Sequence, residues 1–390
     1  MSQTWRPRTR LIHEGTKRSA YGETAEALFL TSGFTYARAE DAALRFAEQQ
    51  DGYQYTRVAN PTIAMFEERL AALEGAEACQ ATATGMAAVN AALMCQLKAG
   101  ARVVAARVLF GSCAYILTEI LPRFGVEVAF VDGRDLDAWA KALARPTDVV
   151  FFETPANPTL ELIDIAAVSE LAHKAGAVVV IDNVFATPIL QRPIELGADV
   201  VVYSATKHID GQGRCMGGAV LSTEAFCKDK LKPFLKNTGP TISPFNAWVL
   251  LKGLETLDLR MERHCTNAAQ LARFLEALPG VRQVLHPGLE SFPQHDLARR
   301  QMANGGPLIA LRTGGGRERA FEVLNRLELI CVSNNLGDAK SLITHPSSTT
   351  HSRLDAAVRE EIGITEDLLR LSVGLEDVQD LKDDLAQALG

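Results

Sequence analysis

The chain has 390 residues and a formal net charge of −7, with 47 % hydrophobic and 22 % charged residues. Because an acidic chain offers no surplus of cations to neutralise phosphates, this composition argues against a nucleic-acid partner. No apolar run approaches the roughly 20 residues that span a bilayer, so we expect no membrane partner either. The length is that of about two or three domains, each with its own core.

Seven cysteines are present, and no two of them form a CxxC pair. An odd number without paired spacing, in a chain that nothing marks as secreted, is typical of reduced thiols. We therefore expect a cytoplasmic protein.

The first 60 residues show little periodicity, and we expect residues 1–60 to form an N-terminal arm. Beyond residue 100, short apolar runs alternate with segments of helical spacing at 113–125, 136–145 and 166–176. This alternation predicts an α/β fold whose mostly parallel sheet is covered by helices on both faces, in a large domain over residues 61–250. The predicted strands are 101–107, 126–132, 148–154, 177–182, 199–204 and 217–222.

The texture of the sequence changes after residue 250. A long helical pattern covers residues 257–278, and short strand patterns occur at 307–313 and within 368–377. We expect residues 251–390 to form a smaller C-terminal α+β domain.

Polar residues follow three of the predicted strands. Glu153 and Asp182 end two of them, and Ser204, Thr206 and Lys207 follow a third. Because parallel sheets bind ligands beyond the carboxyl ends of their strands, we expect these side chains to meet at one rim. Each of them, taken alone, is also compatible with an ordinary turn or cap residue.

Lys207 lies between an apolar run and a stretch with four glycines. Desolvation in a crevice penalises a charged ammonium, which would make this lysine a nucleophile toward an aldehyde. Pyridoxal 5'-phosphate is an aldehyde that accounts for the other polar groups. Its phosphate would bind Ser204, Thr206 and the helix start within residues 82–89, and its ring nitrogen would pair with Asp182.

Other site motifs are absent from the sequence. There is no GxxxxGK[ST] and no GxGxxG, so neither a P-loop nor a dinucleotide fingerprint is supported. No HExxH occurs, and His345 and His351 lie six residues apart in a loop rich in serine and threonine. We expect no metal site.

Seven segments, in order along the chain, carry a family resemblance. They are YQYTRVANPT (53–62), ATGMAAV (83–89), ETPANPT (153–159), IDNVFATP (181–188), SATKHIDGQGRCMGG (204–218), SLITHP (341–346) and LLRLSVGLED (368–377). Through them the chain resembles, over nearly its whole length, the cystathionine synthase, cystathionine lyase and methionine γ-lyase family of fold-type I pyridoxal phosphate enzymes.

The resemblance implies a role for each matching residue. Lys207 would bond covalently to the cofactor and carry protons at the α and β carbons of the substrate, and Asp182 would pair with the ring nitrogen. Backbone groups, hydroxyls and ring contacts would supply the other cofactor-binding interactions, from Gly85, Met86, Phe110, Asn157, Ser204 and Thr206.

Substrate and subunit contacts are implied in the same way. Arg370 would clamp the α-carboxylate of an amino acid through a bidentate pair, with Ser333 and Asn334 beside it. Tyr55 and Arg57 would reach the phosphate of a neighbouring subunit's cofactor. This arrangement implies a homotetramer with active sites shared between subunits.

Within the family, LFGSC (109–113), KHIDGQGRCMGG (207–218) and the segment 332–351 most resemble the subgroup that converts O-succinylhomoserine and sulfide to homocysteine and succinate. That γ-replacement belongs to methionine biosynthesis. Many relatives have a tyrosine where this chain has Phe110, which lacks a hydroxyl for acid or base catalysis.

Three classes of function therefore stay open at this point. The first is γ-replacement with sulfide, and the second is cystathionine γ-synthase or methionine γ-lyase type activity. Sequence alone does not separate sulfide from cysteine as the incoming thiol. The third is a scaffold without chemistry, which the presence of Lys207, Asp182 and Arg370 opposes.

Overall fold

A computed structural model describes residues 5–390, and two β-sheets organise this described range. The first sheet has the strand order β1-β7-β6-β5-β4-β2-β3. Strands β2 to β6 run parallel, whereas β7 is antiparallel to both of its neighbours. The strands are β1 Ala78–Thr82, β2 Arg102–Ala106, β3 Glu127–Val131, β4 Val149–Glu153, β5 Val178–Asp182, β6 Val200–Ser204 and β7 Gly218–Ser222.

The second sheet is smaller and has the order β10-β11-β12-β9-β8 within the described residues. Its pairs are antiparallel except for β10 with β11. The strands are β8 Gln283–Leu285, β9 Leu308–Arg312, β10 Cys331–Val332, β11 Leu342–Thr344 and β12 Leu368–Ser372.

Helices cover both faces of the first sheet and one side of the second. In the part of the chain that the structure describes, none is long and apolar enough to cross a membrane. The helices are α1 Pro7–His13, α2 Ala39–Phe46, α3 Pro61–Glu74, α4 Gly85–Met94, α5 Gly111–Tyr115, α6 Leu136–Ala142, α7 Ile165–Lys174, α8 Thr187–Leu190, α9 Glu224–Phe226, α10 Lys232–Thr238, α11 Pro244–Leu254, α12 Leu257–Ala277, α13 His295–Gln301, α14 Gly316–Arg326, α15 Ala356–Glu361 and α16 Val378–Leu389.

The predicted α/β fold with a mostly parallel, doubly covered sheet is confirmed. Successive residues of β4 alternate between two buried apolar clusters. Val150 and Phe152 belong to one of them, and Val149 and Phe151 belong to another. Since both faces are buried, the strands are continuous apolar runs rather than alternating ones. All six strands predicted in this region are present, each within one or two residues of its predicted bounds.

Some elements differ from the prediction. The segment 113–125, predicted as one α-helix, begins within α5, continues as a wider π-helical turn over Ile116–Ile120 and ends as a tighter 3-10 turn over Leu121–Phe124, which contains Pro122. Strand β1 was not predicted, because its sequence ACQAT has few of the β-branched and aromatic residues that favour strands. In the second sheet the predicted strands correspond to β9 and β12.

The N-terminal segment is tied to the rest of the chain by a buried ion pair. Arg69 on α3 is inaccessible to solvent, and its Nη2 lies 2.5 Å from Glu26 Oε1. Its Nε donates to the carbonyl of Glu14 at 2.9 Å. Lys252 on α11 contacts the other oxygen of Glu26 at 3.0 Å. Glu26 thereby joins two helices to the first 30 residues.

Replacing Arg69 by methionine should destabilise the fold, because the Glu26 carboxylate stays buried with Lys252 as its remaining cation. We expect Arg69→Met to lower the free energy of unfolding by about 3 kcal/mol. The exposed pair Lys174–Glu170 on α7 provides the control, and Lys174→Met should cost less than about 1 kcal/mol. Urea unfolding followed by fluorescence measures both, and equal effects would contradict the prediction.

The same pair makes stability depend on pH. Burial alone would raise the pKa of Glu26, but hydrogen bonds from Arg69 and Lys252 outweigh it and lower the pKa to about 2. Since this value lies below the ordinary 4.5, the contribution is complete above pH 4.5 and is lost as the pH falls toward 2. Arg69→Met should therefore flatten the loss of stability in this window.

Candidate active site

The polar residues predicted to share a rim lie at the carboxyl ends of the parallel strands. Glu153 and Asp182 are the last residues of the neighbouring strands β4 and β5, and they lie side by side in register. Ser204 ends β6, and Lys207 follows within a turn. The second sheet supplies Arg370 from β12. The site therefore lies where the two sheets meet.

Lys207 has its ammonium held by an amide of the second sheet's loop. Its Nζ donates to Asn335 Oδ1 at 2.5 Å. Among the described residues no carboxylate forms an ion pair with it. Desolvation, together with the positive charge of Arg370, lowers the pKa of Lys207 to about 8. At pH 7 about one tenth of this lysine is therefore a neutral, nucleophilic amine, far more than at the ordinary lysine pKa of 10.5.

Two buried carboxyl groups lie at the same rim of the sheet. Asp182 is 8 % exposed, and burial raises its pKa to about 7, although the backbone N–H of Val184 donates to it at 3.1 Å. Glu153 is more deeply buried, and burial together with the charge of Asp182 raises its pKa well above the usual range. A cation placed between them would be strongly favoured.

Glu153 also fixes the backbone on both sides of the site. One of its oxygens accepts from the N–H of Phe110 at 2.9 Å, and the other accepts from the N–H of Asn157 at 2.9 Å. The structure thus connects the two predicted cofactor residues through a carboxylate to which the sequence analysis gave no role. From the sequence, its position at the end of an apolar strand is the feature that predicts a place at this rim, and the structure adds that it is in register with Asp182.

Arg370 is almost completely buried, and its three hydrogen bonds leave two of its five N–H donors free. Nη1 donates to Asn157 Oδ1 at 2.7 Å, and Nη2 donates to the carbonyls of Asn334 and Asn335 at 2.9 and 3.2 Å. Nε has no partner among the described residues. Burial lowers the pKa of Arg370 to about 10, so it remains charged at neutral pH. A buried guanidinium without a tight carboxylate partner is suited to an anionic ligand.

The start of α4 lies tightly against the end of β6. A Cβ added to Gly85 would lie 2.5 Å from the Cβ of Ser204, so glycine is required for this approach. Gly85 and Met86 form the first turn of α4, whose leading N–H groups have no intrahelical partner. Thr206 Oγ1 exchanges hydrogen bonds with the backbone of Gly217. The predicted phosphate-binding residues are thus brought together, apart from those on the N-terminal segment.

Tyr55 and Arg57 lie apart from Lys207 within one chain. Tyr55 is 46 % exposed, and the Arg57 guanidinium lies 5.4 Å from the centre of its ring. Arg57 also donates to the carbonyl of Lys236. No contact of the described chain joins them to the rim formed by Asp182 and Lys207, so their predicted role depends on a second subunit.

The predicted substrate residues occupy different positions around Arg370. Asn334 contributes its carbonyl to the guanidinium, whereas Ser333 Oγ accepts from the N–H of Asn335 at 3.2 Å and supports the loop. The side chain that reaches Lys207 is that of Asn335, the neighbour of Asn334, whose amide was expected near the substrate rather than at the amine. Three consecutive polar residues, 333–335, do not reveal from sequence which side chain points inward.

His351 lies in the loop between β11 and α15, near Arg370. Its ring is buried, and Nδ1 shares a hydrogen bond of 2.8 Å with Thr350 Oγ1. Burial and the nearby charge of Arg370 lower the pKa of His351 to about 4, so the ring is neutral near pH 7. The adjacent carbonyl of Thr350 lies so close to Gly111 that a Cβ there would approach it to 2.9 Å. This loop therefore rests directly on the start of α5.

The arrangement fits pyridoxal phosphate on three independent observations. Asp182 is a buried carboxyl group without a cation, which a protonated ring nitrogen would supply. Lys207 is a desolvated amine suited to the aldehyde. Gly85 brings free N–H groups of a helix start against Ser204, as a phosphate requires. In residues 5–390 no cluster of three or more His, Cys, Asp or Glu side chains has the arrangement of a metal site.

Comparison with known proteins agrees with this geometry. Residues 8–390 match the family model described as Cys/Met metabolism PLP-dependent enzyme. The chain is 53 % identical over 382 residues to an O-succinylhomoserine sulfhydrylase of Mycobacterium tuberculosis (strain CDC 1551 / Oshkosh), covering 97 % of this chain and 94 % of the relative. It is 46 % identical to an O-succinylhomoserine sulfhydrylase of Pseudomonas aeruginosa, covering 98 % and 94 %.

More distant relatives share the fold. An L-methionine gamma-lyase of Treponema denticola is 44 % identical, with 97 % of this chain and 95 % of the relative covered. A crystal structure of a Campylobacter jejuni protein that carries N'-pyridoxyl-lysine-5'-monophosphate superposes with a TM-score of 0.94 at 31 % identity, covering 99 % of this chain and 100 % of the other. The chain therefore belongs to the Cys/Met metabolism family of PLP-dependent enzymes, and its cofactor is pyridoxal phosphate.

Proposed function

We propose that this enzyme performs γ-replacement on O-succinylhomoserine, with sulfide as the second substrate and homocysteine and succinate as products. The observation that carries the proposal is the 53 % identity, over 97 % of the chain, with an O-succinylhomoserine sulfhydrylase. The site contributes the chemistry that such a reaction needs: an amine of lowered pKa, a buried guanidinium for a carboxylate and buried carboxyl groups at the strand ends.

Pyridoxal phosphate, when bound, withdraws electrons from the substrate's α carbon and thereby acidifies the neighbouring C–H bonds. We assign the proton transfers to Lys207, whose pKa of about 8 suits both removal and return of protons near neutral pH. Because an amine holds one added proton at a time, Lys207 would remove the α proton, give it up, and then remove one from the β carbon. Succinate would leave the γ carbon with the electrons of the C–O bond, hydrosulfide would bond there, and Lys207 would return a proton to the β and α carbons. Asn335 orients Nζ during these transfers.

The substrate's α-carboxylate is assigned to Arg370. Its Nε has no partner among the described residues and its Nη1 makes one hydrogen bond, to Asn157, so N–H donors remain for an anion. Asp182 would hold the ring nitrogen, and Gly85, Met86, Ser204 and Thr206 would hold the phosphate. The Phe110 backbone is anchored by Glu153, which supports the proposed stacking of its ring on the cofactor.

A lyase reaction is the second candidate, because an L-methionine gamma-lyase is 44 % identical to this chain. Phe110 argues against it, since a phenyl group cannot donate a proton to a departing thiolate. Cystathionine formation, with cysteine as the thiol, would use the same residues. A comparison of the products formed from sulfide and from cysteine distinguishes the two reactions.

We also propose a homotetramer in the cytoplasm, with active sites shared between subunits. The exposed Tyr55 and Arg57 would complete a partner's phosphate site. Helix α2 has no buried residue, and Leu44 and Phe46 are 41 % and 70 % exposed, as expected of a surface that another subunit covers. We propose, in addition, that each subunit consists of an N-terminal arm (1–60), a large domain (61–250) and a C-terminal domain (251–390).

The main experiment combines spectroscopy with product analysis. Wild-type enzyme should show a cofactor band near about 420 nm, and Lys207→Ala should lose it together with activity, whereas Lys174→Ala on the exposed face of α7 should keep both. Homocysteine from O-succinylhomoserine and sulfide establishes the proposed reaction. Faster formation of cystathionine from cysteine would replace it with the synthase reaction.

The reactivity of Lys207 should depend on pH in a defined way. We expect the rate at which cofactor-free protein binds pyridoxal phosphate to rise with a midpoint of about pH 8. Asn335→Asp should move the midpoint upward by about one unit or more, because a carboxylate at the same position stabilises the ammonium. Asn334→Asp is the matched control with a smaller shift. A wild-type midpoint near 10.5, the ordinary lysine value, would refute the assignment.

Restoring a hydroxyl at position 110 tests the choice between replacement and elimination. We expect Phe110→Tyr to increase the release of 2-oxobutanoate from methionine by about tenfold or more, since positioned acid catalysis is worth about 10²–10⁴ in rate. Phe124→Tyr, at an exposed position, should leave the rate unchanged. No increase in the Phe110 variant would mean that this ring does not face the leaving group.

A further inference from the structure

A second cavity, separate from the site of Lys207, lies between the two sheets. Its volume is about 290 Å³, close to the lower end of ligand pockets. One wall comes from the segment that follows β4 and from the end of β3, and the other comes from β9 and the end of α15. Val108, Leu285 and Phe292 give it an apolar part.

Glu161 supplies an acidic group on the first wall. The residue is 9 % exposed, and its Oε1 has no hydrogen-bond partner among the described residues. Its nearest cation is Arg134, whose Nε lies 3.8 Å from the other oxygen. That guanidinium is already engaged by Asp132 through two bonds of 3.1 and 2.9 Å. Glu161 therefore lacks a close donor.

Arg312 supplies a basic group on the opposite wall. Its Nη atoms donate to Thr365 Oγ1 at 2.7 Å and to the carbonyl of Gly363 at 2.9 Å, and neither acceptor is charged. Its Nε has no partner in the described chain. Thr159 and Arg312 both lie next to Gly363, since a Cβ added to Gly363 would be 3.7 Å from Thr159 Cγ2 and 3.5 Å from Arg312 Nη2. The hydroxyl of Thr159 also has no partner among the described residues. Arg312 therefore lacks an anion.

A buried apolar cluster separates this cavity from the reacting groups. Phe185 and Leu336 belong to the cluster on the active-site side, where the Arg370 guanidinium lies 6.0 Å from the Phe185 ring and Leu336 follows Asn335. Val108 and Ile362 belong to the same cluster and line the cavity. A molecule in the cavity would therefore not contact Lys207.

We propose that this cavity binds a free α-amino acid with an apolar side chain, which is neither bonded to the cofactor nor consumed. The ammonium group would pair with Glu161 and the carboxylate with Arg312, with Thr159 as an additional hydrogen-bond partner. A zwitterion provides the donor that one wall lacks and the acceptor that the other lacks, and its side chain fills the apolar part. Since the walls belong to different sheets, the ligand also holds the sheets together.

L-Norleucine is a suitable probe because it has an apolar side chain and no leaving group. We would titrate it into the holoenzyme by calorimetry and record the cofactor's absorption spectrum in parallel, which reports the Lys207 site alone. We expect two binding events per chain, one of them without a spectral change. Hexanoate, which lacks the ammonium group, should bind at the spectrally silent site at least about tenfold more weakly.

Variants assign the silent event. Glu161→Gln should abolish it and leave the spectral event, and Glu360→Gln, at an exposed position of the same cavity, should preserve both. Arg370→Lys should weaken the spectral event and leave the silent one, so this variant tests the second site even if Glu161→Gln does not fold. A single event that follows the spectrum, or a silent event unchanged by Glu161→Gln, would overturn the proposal. Loss of the spectral event alone bears on the proposed function instead.

Discussion

Four ionisable side chains held out of water at the junction of the sheets determine what this site can bind. Burial raises the pKa of Glu153 and Asp182 and lowers that of Lys207 and Arg370. All four shifts favour the neutral form, so the charged groups are costly until a ligand compensates them. Pyridoxal phosphate and an amino acid together carry charges complementary to these groups. Their binding therefore also stabilises the charged forms of the buried side chains.

The parallel sheet makes this concentration of charge possible. Adjacent strands end in register, so Glu153 and Asp182 are placed side by side by backbone hydrogen bonds rather than by flexible loops. Glu153 then accepts two backbone N–H groups, which fixes the segments that carry Phe110 and Asn157. A carboxylate used in this way positions residues from two loops without touching the substrate itself.

Sequence analysis located the first sheet well because its strands are buried on both faces and their apolar runs have no competing interpretation. It did not predict β1 or the two- and three-residue strands of the second sheet, whose pairing depends on distant partners. For the site, residues at strand ends were brought together as expected. Asn335 could not be chosen over Ser333, because the direction of a loop side chain is set by the contacts that Arg370 makes with the loop's carbonyls.

The two sheets contribute different parts of the chemistry. The first provides the groups assigned to the cofactor, whereas the second provides Arg370 and Asn335, which address the substrate and the amine of Lys207. Relatives named for replacement and for elimination share this fold at 44–53 % identity, so the fold alone does not select the reaction. Leu336, which follows Asn335, packs in the same apolar cluster as Phe185. A ligand that shifted one sheet against the other would therefore move Asn335 relative to Lys207.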